Sequence, residues 1–507
     1  MRLKFGLLLI FLLTCSTNGY KILGLFSFSS KSHFNGFLPL AKELVTRGHE
    51  VTMVHPHSGL KVPSPIKSIV VSEMVDHIQT AANPMEKPGF FQIKELMVQT
   101  CEKILTAKTI KELLKAGKQY DIVVIPTIMS ECSIAIAPLL GKYLILFSSG
   151  PLPPFLPNPA PHPPSTVPNL LLDLPSKMNF QQRFKNFVVT VLVENAYKYI
   201  LMPSTTSTIQ KEVPEAPTAW EAWKKLSLIM VNQDIVTTAP RPTVPNMVEV
   251  PGINCNDAKP LPKDLEDFVQ SSGDDGVIIF SLGSVAESKF LTKEVKDAFL
   301  KAFSRLKQKV IWKYEDDSLK PSANVKLVKW IPQQDLLGHP KVKLFISHGG
   351  TQSLQEAVYH AVPIIGIPLY GDQPGNVARM KELALGKGLD SSTITADEIY
   401  ETITSILNDK GYSERMKKYS AIFKDVLQPP IQKGVFWIEY VARHNGARHL
   451  RTLGEDMCLI KYFLIDVIAF VTLVPLVTLY ITYRVVKFGC KKLCGRKQKK
   501  LDTKKTQ

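Results

Sequence analysis

Short apolar segments alternate with amphipathic helical segments in two separate parts of this 507-residue chain. In the first part, residues 22–26 and 51–54 have the composition of buried strands, and residues 37–45 between them place apolar side chains at helical spacing. In the second part, the same alternation begins at residue 277. Strands that are separated by helices in this way pair in parallel. The sequence therefore predicts an α/β protein with two doubly wound parallel sheets.

Two proline-rich passages interrupt this pattern. The passage Pro151–Pro168 contains too much proline for a helix or a strand, and we interpret it as an ordered surface loop. The passage Pro240–Pro262 separates the two parts and has the composition of an interdomain linker. We therefore place an N-terminal domain at residues 20–250 and a C-terminal domain at residues 251–457. Two such domains leave a cleft between the carboxyl ends of their strands, where ligands bind in sheets of this kind.

The beginning of the chain has the organisation of a secretory signal peptide. Residues 1–19 contain Arg2 and Lys4, then an apolar run, and then small or polar residues. A strand pattern follows immediately, so this run is not needed as the first buried strand. We expect the signal peptide to end at residue 19 and the mature chain to begin at Tyr20.

The other end of the chain has the pattern of a transmembrane helix. Residues 458–483 include an apolar stretch from Tyr462 to Tyr483, which is long enough as a helix to cross about 30 Å of hydrocarbon. The tail, residues 484–507, is rich in lysine and arginine, and the positive-inside rule places such a tail in the cytosol. Its last four residues, Lys504–Gln507, resemble a dilysine signal for return to the endoplasmic reticulum. The sequence therefore predicts a single-pass type I protein of the endoplasmic reticulum membrane, with both domains in the lumen.

The formal net charge of +17 does not indicate a nucleic-acid partner. Much of this charge lies in the tail, and the body of the chain has no run of lysine and arginine interleaved with stacking aromatic residues. Of the cysteines, Cys101, Cys132 and Cys255 would face the lumen, and three is an odd number, so at most one pair can form there. The sequence leaves open whether they pair and whether the chain forms a homo-oligomer.

The most informative segment runs from Phe345 to Met380. A strand pattern is followed by a Ser-His-Gly-Gly turn and by a helix that begins near Gln352. Gly349 and Gly350 let the backbone approach a ligand closely, and the free N–H groups at the start of a helix favour an anion. Further donors come from three side chains: His348, Thr351 and Ser353. The segment therefore predicts a cradle for a diphosphate.

This segment and the one before it closely resemble the signature of the UDP-glycosyltransferase family. The matching positions are His348-Gly349-Gly350, Glu356, Pro363, Pro368, Asp372-Gln373 and Asn376, preceded by Trp330-Ile331-Pro332-Gln333. The segments Val167–Asp173 and Trp437–Tyr440 resemble the arthropod branch of the family. The resemblance extends from about Tyr20 through the apolar C-terminal stretch. It implies the GT-B fold, in which two Rossmann-like doubly wound domains face a cleft, followed here by a C-terminal transmembrane helix.

The resemblance also implies a role for each matching residue of a UDP-sugar site. The indole of Trp330 is expected to stack on the uracil, with Gln333 at the polar edge of the base, and the carboxylate of Glu356 to accept from the ribose hydroxyls. Asp372 and Gln373 are expected to hydrogen-bond the hydroxyls of the sugar. The residues expected around the diphosphate are Ser284, His348, Gly350, Thr351 and Ser353.

The expected general base is His33, in the sequence Ser30–His33 that we interpret as a loop ahead of the first helix. A neutral imidazole takes the proton of an acceptor hydroxyl while the oxygen attacks the anomeric carbon, which inverts its configuration. No metal or other cofactor is required, because the donors of the cradle stabilise the leaving diphosphate. The family usually orients this histidine with an acidic residue, and that position falls on Pro126. Glu131 is the nearest charged replacement, and Thr127 and Ser130 are nearby uncharged ones.

Two functions follow from these observations. The first is inverting transfer of a sugar to a hydroxyl of a small lipophilic acceptor, as in detoxification or conjugation, with Pro151–Pro168 and Phe90–Leu105 lining the acceptor end. By resemblance to the arthropod branch the sugar is glucose, and glucuronic acid is the alternative. The competing function is that of a lumenal protein that binds a UDP-sugar or a lipophile with weak turnover, because Pro126 replaces the acidic partner.

Overall fold

The computed structural model describes residues 19–74, 89–153, 155–156, 160, 162–283 and 288–505. Except for residue 19, the expected signal peptide therefore lies outside the described residues. By contacts within the chain, the molecule divides into a large unit that ends at Arg451 and a second unit that begins at Thr452.

The first sheet is entirely parallel, as the alternation of strand and helix patterns predicts. Its strands are Lys21–Leu25 (β1), Glu50–His55 (β2), Lys67–Val70 (β3), Tyr120–Pro126 (β4), Gly141–Ser148 (β5), Leu226–Val231 (β6) and Met247–Glu249 (β7). Their order is β3-β2-β1-β4-β5-β6-β7. The sequence predicts strands at residues 22–26, 51–54, 121–126 and 143–147, and β3, β6 and β7 were not predicted. Every residue of β6 is buried, which is the pattern of a strand covered on both faces of a parallel sheet.

The second sheet is also parallel and lies in the second half of the chain. Its strands are Val277–Ser281 (β8), Lys309–Lys313 (β9), Val325–Val328 (β10), Val342–Ser347 (β11), Ile364–Gly366 (β12) and Gly386–Gly388 (β13). Their order is β10-β9-β8-β11-β12-β13. In both sheets the strand order reverses next to the first strand, because β1 lies between β2 and β4 and β8 lies between β9 and β11. Ligands of doubly wound sheets bind outside the carboxyl ends of strands at such a switch point.

Helices connect the strands and cover the sheets. They are Lys31–Thr46 (α1), Phe90–Thr106 (α2), Lys108–Ala116 (α3), Glu131–Leu140 (α4), Phe180–Ala196 (α5), Met202–Ser204 (α6), Thr206–Glu212 (α7), Ala219–Trp223 (α8), Lys263–Gln270 (α9), Lys293–Ser304 (α10), Gln333–Leu337 (α11), Thr351–Tyr359 (α12), Gln373–Glu382 (α13), Ala396–Leu407 (α14), Lys410–Lys424 (α15), Pro430–Arg443 (α16), Leu459–Tyr462 (α17) and Ile465–Lys505 (α18). A π-helical turn, Tyr197–Leu201, follows α5.

Each sheet has a hydrophobic core on both faces. Along β1, Ile22 belongs to one core cluster and Leu23 to another, because successive side chains of a strand point to opposite faces. Along β8, Val277 and Ile278 divide in the same way between the two clusters of the second sheet. Burial on both faces explains why these strands appear in the sequence as continuous apolar runs rather than as alternating ones.

After the second sheet is complete, the chain returns to the first one. Val435, Ile438 and Val441 of α16 are fully buried in the core cluster that also contains Ile22 and Leu40. At the edge of this contact, the Glu439 carboxylate lies 3.2 Å from the His49 ring. The last helix of the large unit therefore joins its two halves.

The second unit contains a helix that is long and apolar enough to cross a membrane. Within Ile465–Leu493 of α18, the most apolar window has a mean hydropathy of 2.1 and is not buried against other parts of the protein. The sequence predicted a helix over residues 458–483. The long helix begins later, because Leu464 has a positive φ of 53° that ends the preceding turn, and it continues through the basic tail to Lys505.

One disulfide bond joins α2 to α4. It connects Cys101 and Cys132, whose Cα atoms are 5.5 Å apart, while Cys255 is a free thiol. The sequence predicts at most one pair among these three cysteines, and the structure agrees. It also shows that Cys101 and Cys132 form the pair.

Candidate active site

A cavity of about 1840 Å³ lies between the carboxyl ends of the two sheets. The first sheet contributes residues that follow β1, β4 and β5, and the second contributes residues that follow β8, β10, β11 and β12. Loops at this end of parallel strands converge on one place, so residues far apart in sequence meet there. Of the expected site residues, His33, Glu131, Trp330, Gln333, His348, Gly350, Thr351, Ser353, Glu356, Asp372 and Gln373 line this cavity. Ser284 lies outside the described residues.

His33 lies in the first turn of α1, not in a loop ahead of the helix. Ser30 is the N-cap of this helix, and its side-chain oxygen accepts from the His33 backbone N–H at 3.3 Å. The same oxygen lies 2.8 Å from Nδ1 of the His33 ring and 2.8 Å from the hydroxyl of Ser32. The cap therefore fixes both the start of the helix and the orientation of the imidazole.

The His33 ring is neutral at physiological pH. Withdrawal from water lowers its pKa from 6.5 to about 4, because burial disfavours the charged form. The negative charge of Asp372, from the other sheet, partly offsets this effect, and the charge that His57 can carry adds to it. A neutral imidazole in a cleft is able to accept a proton, and Asp372 favours the imidazolium that results.

Glu131 is not the hydrogen-bond partner of His33. Its carboxylate accepts a short hydrogen bond from the Tyr197 hydroxyl, and burial raises its pKa above the ordinary value of 4.5. The side chain of Thr127 donates to Ser148 at 3.1 Å. The hypothesis that Glu131 orients His33 was therefore wrong as far as direct contact is concerned, because the start of α4 directs this carboxylate toward the π-helical turn. The hydroxyl of Ser30 contacts the imidazole instead.

The donor half of the cavity contains an exposed indole beside a buried carboxylate. Trp330 is 60% exposed, although tryptophan is usually largely buried, and the ammonium of Lys313 lies 6.0 Å from its ring centroid. Nearby, the Gln333 amide donates to the Glu356 carboxylate at 2.7 Å and to the Ser353 hydroxyl at 3.2 Å. Gln333 and Glu356, which are expected around uridine, and Ser353, which is expected at the diphosphate, are thus joined by hydrogen bonds beside an open aromatic face.

The Glu356 carboxyl titrates near neutrality. Burial raises its pKa from 4.5 to about 7, and the hydrogen bonds from Gln333 and Asn254 oppose this shift. Asn254 donates to the Glu356 carboxylate at 3.0 Å from a segment 102 positions away in the chain. Asn254 was not predicted as a site residue, because no local pattern in the sequence connects an asparagine in the interdomain linker with a glutamate on α12.

Glycine is required where the backbone passes His348. Gly283 has a φ of 87°, and a Cβ atom there would lie 2.7 Å from the His348 ring, while one on Gly350 would lie 2.5 Å from His348 Nε2. Burial lowers the pKa of His348 to about 4, so this ring is also neutral. Gly350 is the N-cap of α12, whose first hydrogen bond runs from the Leu354 N–H to the Gly350 carbonyl. The preceding amide groups lie at the positive end of the helix dipole, which is a favourable place for a phosphate.

Asp372 is held between two helices of the second half. It accepts from the Thr351 hydroxyl at 2.6 Å and from the Asn376 amide at 2.6 Å. Thr351, which was expected to contact phosphate, therefore donates its hydroxyl proton to Asp372 in this structure. The Gln373 side-chain carbonyl accepts from the N–H groups of Leu369 and Tyr370 at 2.7 and 3.1 Å. The Gln373 amide nitrogen remains available as a donor toward the cavity that this residue lines.

A direct hydrogen bond joins the two halves of the site. The Gln352 side chain on α12 donates to the Ser32 carbonyl at 3.0 Å, next to His33. Gly36 of α1 allows this approach, because a Cβ atom there would lie 2.7 Å from the Gln352 amide nitrogen. In the sequence, Gln352 only marks the start of a helix, and this contact was not predicted.

Solved glycosyltransferases share this architecture. The glycotransferase of kitacinnamycin aligns with a TM-score of 0.59 and 15% identity over 83% of this chain and 99% of that chain. The calicheamicin glycosyltransferase CalG4 aligns with a TM-score of 0.57 and 18% identity over 84% of this chain and 99% of that chain. VinC, solved in complex with DTDP, has a TM-score of 0.57 and 15% identity over 84% of this chain and 100% of that chain. The fold is that of a GT-B glycosyltransferase.

Sequence comparison identifies the family within this fold. The family model described as UDP-glucoronosyl and UDP-glucosyl transferase matches residues 64–500. UDP-glucuronosyltransferase 2C1 of Oryctolagus cuniculus is 32% identical over 92% of this chain and 99% of its own length. UDP-glycosyltransferase UGT5 of Dactylopius coccus is 34% identical over 94% of this chain and 93% of its own length. The chain belongs to the UDP-glycosyltransferase family.

Proposed function

We propose that this protein transfers a sugar from a UDP-sugar to a hydroxyl group of a small lipophilic acceptor, with inversion at the anomeric carbon. The observation that carries this proposal is the meeting of His33 and the glycine turn at His348 in one cavity. The first supplies a neutral base, and the second supplies a cradle for an anionic leaving group. The family to which the chain belongs supports the same reaction class.

In the proposed reaction, Nε2 of His33 takes the acceptor proton. The hydrogen on Nδ1 then points to the Ser30 oxygen, and the Ser30 hydroxyl donates to Ser32, which fixes the tautomer that leaves Nε2 free. The acceptor oxygen forms a bond to the anomeric carbon as the bond from that carbon to the UDP oxygen breaks. The imidazolium that forms is stabilised by Asp372 across the cleft. A single displacement of this kind inverts the configuration.

The proposed donor contacts follow the arrangement around α12. Uracil stacks on Trp330 with Gln333 at its edge, the ribose hydroxyls donate to Glu356, and the sugar hydroxyls contact Asp372 and Gln373. The diphosphate lies at the start of α12, where the N–H groups offset its charge. The residues proposed around it are Ser284, His348, Gly350, Thr351 and Ser353. No metal ion or other cofactor is part of the proposal.

Glucose is the proposed sugar, with glucuronic acid as the alternative. Of the two relatives described above, one is named a glucuronosyltransferase, and the name of the other, a glycosyltransferase, specifies no sugar. The proposed acceptor is lipophilic because the first-sheet half of the cavity is lined by apolar side chains. These include Phe28, Phe90, Ile93, Met129, Phe155 and Leu201. Conjugation or detoxification is the class of process that such an acceptor suggests.

The proposed location is the endoplasmic reticulum membrane, with a single anchor and both large domains in the lumen. The apolar span Ile465–Leu493 supports the anchor, and the basic residues that follow it in α18 support a cytosolic tail. The disulfide between Cys101 and Cys132 supports the lumen, because disulfide bonds form and persist in oxidising compartments.

A second candidate function is binding of a UDP-sugar or a lipophile with weak turnover. Pro126 favours it, because proline supplies no carboxylate at the end of β4 and Glu131 bonds Tyr197 rather than His33. Microsomes that contain the chain, incubated with UDP-glucose or UDP-glucuronic acid and a model phenol, distinguish the two candidates. Glycoside formation supports the transferase. Tight binding of the UDP-sugar with no glycoside from any member of the panel contradicts it and favours the binding protein.

A further inference from the structure

The outer face of α5 is apolar. Phe180, Phe184, Phe187 and Val191 recur at positions i, i+4, i+7 and i+11, which fall on one stripe of a helix, and all four are exposed. Phe184, in the middle of the stripe, is 63% exposed. Large aromatic side chains on one exposed stripe form a contiguous apolar patch, which marks an interaction surface more often than isolated exposed residues do.

The inner face of the same helix is polar. Asn186 and Thr190 are buried against the end of the proline-rich passage and against Asn169, which follows it. The Asn186 side chain accepts from the Asn169 N–H at 2.7 Å and donates to the Val167 carbonyl at 2.9 Å, and the Asn169 side chain donates to Thr190 at 3.1 Å. Rolling the helix to bury its phenylalanines would leave these buried groups without partners. A surface helix in water buries its apolar face and exposes its polar face, and α5 does the opposite.

Basic residues flank the apolar stripe. Arg183 and Lys185 are exposed on either side of it, and Lys198 follows in the π-helical turn. Glu194 is the acidic residue of α5, and burial raises its pKa above the ordinary value of 4.5. Phenylalanine on one face with arginine and lysine at its borders is the pattern of helices that lie in the interface of a lipid bilayer.

The apolar surface continues into the acceptor half of the cavity. Leu192 of α5 is exposed and also lines the cavity, and Phe90, at the start of α2, does the same. Phe91, next to Phe90 in the chain, is also exposed, and so are Tyr199 and Ile200 in the π-helical turn after α5. Residues that are part of the outer surface and of the cavity wall lie at the mouth of the cavity.

We propose that the outer stripe of α5, together with Phe90 and Phe91, docks on the lipid bilayer, so that the acceptor half of the cavity opens toward the membrane interior. The part of this inference that concerns acceptors rests on the proposed function. The segment Thr452–Leu464, which connects the large unit to α18, spans at most about 50 Å when fully extended, so an anchored chain keeps a bilayer within reach. A second copy docked face to face would bring Arg183 and Lys185 against the same basic residues, which disfavours that partner.

Photochemical labelling of the full-length protein in phosphatidylcholine and phosphatidylserine vesicles tests the docking without any need for activity. Benzoylphenylalanine replaces Phe184 in one variant and Leu427, an exposed residue in the loop after α15, in a control variant. The expected result is a lipid adduct at position 184 at least about tenfold more abundant than at position 427, because only a docked side chain lies in the acyl region. An adduct to another part of the same chain, an adduct to a second copy, or equal lipid labelling at both positions would each overturn the proposal.

A kinetic experiment tests the opening toward the membrane. The substitutions Phe184→Ser and Phe187→Ser, made together, are expected to raise KM about tenfold for an acceptor that partitions into the vesicles, because less of the apolar surface contacts lipid. The KM for a water-soluble phenol and the KM for the UDP-sugar are expected to stay unchanged. A change of equal size for both acceptors would contradict the route from the membrane. Absence of turnover in the unsubstituted protein would contradict the proposed function, and the labelling result would then decide the docking alone.

Discussion

The side-chain oxygen of Ser30 lies 2.8 Å from Nδ1 of His33 and also caps the helix that carries this imidazole. One residue thus performs two tasks, since an N-cap stabilises the start of a helix and a hydrogen bond at Nδ1 selects the ring tautomer. Pro126 supplies no carboxylate to orient His33, and Ser30 contacts the ring instead. Substitution of Ser30 therefore tests how the ring is oriented.

Ser30→Ala is expected to lower kcat about fivefold, because a hydrogen bond of about 1 kcal/mol to the base is lost. It is also expected to lower the free energy of unfolding by about 1 kcal/mol, because alanine is a poor N-cap. Ser30→Asp separates the effects, since aspartate caps well and adds a negative charge beside the ring. We expect Ser30→Asp to retain stability and to raise turnover of aliphatic alcohols. Unchanged kcat in both variants, measured with purified protein, would show that Ser30 does not position His33.

Glu131→Gln is expected to leave the pH dependence of kcat unchanged, because the Glu131 carboxylate bonds Tyr197 and not His33. Tyr197→Phe removes the other partner of the same bond and serves as the matched variant. His33→Ala, by contrast, is expected to lower kcat by about 10²- to 10⁴-fold, which is the usual contribution of a general base. A loss in Glu131→Gln comparable to that in His33→Ala would restore Glu131 as the acidic partner.

His348→Ala is expected to weaken binding of UDP and of the UDP-sugar to the same extent, because this ring lies against the glycine turn of the diphosphate cradle. Asp372→Asn is expected to spare UDP and to weaken the UDP-sugar about tenfold, since asparagine keeps the size of the side chain and an acceptor for Thr351. Calorimetry with the two ligands measures both effects, and Asp317→Asn on the surface is the control. Equal losses for the two ligands in Asp372→Asn would contradict a contact with the sugar.

The affinity for UDP-glucose is expected to rise as the pH increases through about 7, the pKa to which burial raises Glu356. Ionised Glu356 is the stronger acceptor for ribose hydroxyls, and its ionised fraction increases with pH. The contribution of Glu356 to the stability of the fold changes with pH in the opposite direction. A carboxyl whose pKa is 4.5 unfolded and about 7 folded binds more protons in the folded state, so its contribution to the free energy of unfolding decreases between these values as the pH rises.

Glu356→Gln tests this assignment, because glutamine retains the size of the side chain and does not titrate. In this variant the affinity for UDP-glucose is expected to be independent of pH between 6 and 8. UDP-glucose is the preferred probe, because free UDP has a terminal phosphate that titrates in the same range. A pH dependence that persists unchanged in Glu356→Gln would assign the titration to another group.

The sequence by itself determined the features that depend on neighbouring residues. The βα alternation predicted two parallel sheets, because burial on both faces requires continuous apolar strands. The turn at His348 was predicted in the same way, since Gly349 and Gly350 lie between a strand and a helix that are contiguous in the chain. Short strands were missed where few residues carry the pattern, as in Gly386–Gly388, which consists mainly of glycine.

Only the tertiary structure decided which side chains meet across the cleft. Asn254 reaches Glu356 from the linker, Gln352 reaches the turn of His33 from the other half, and Glu131 pairs with Tyr197. Sequence spacing carries no information about these contacts, because they depend on how separate helices and loops pack. The orientation of α5 has the same origin. The buried hydrogen bonds of Asn186 fix the polar face of α5 inward, and this orientation leaves the phenylalanines on the outside.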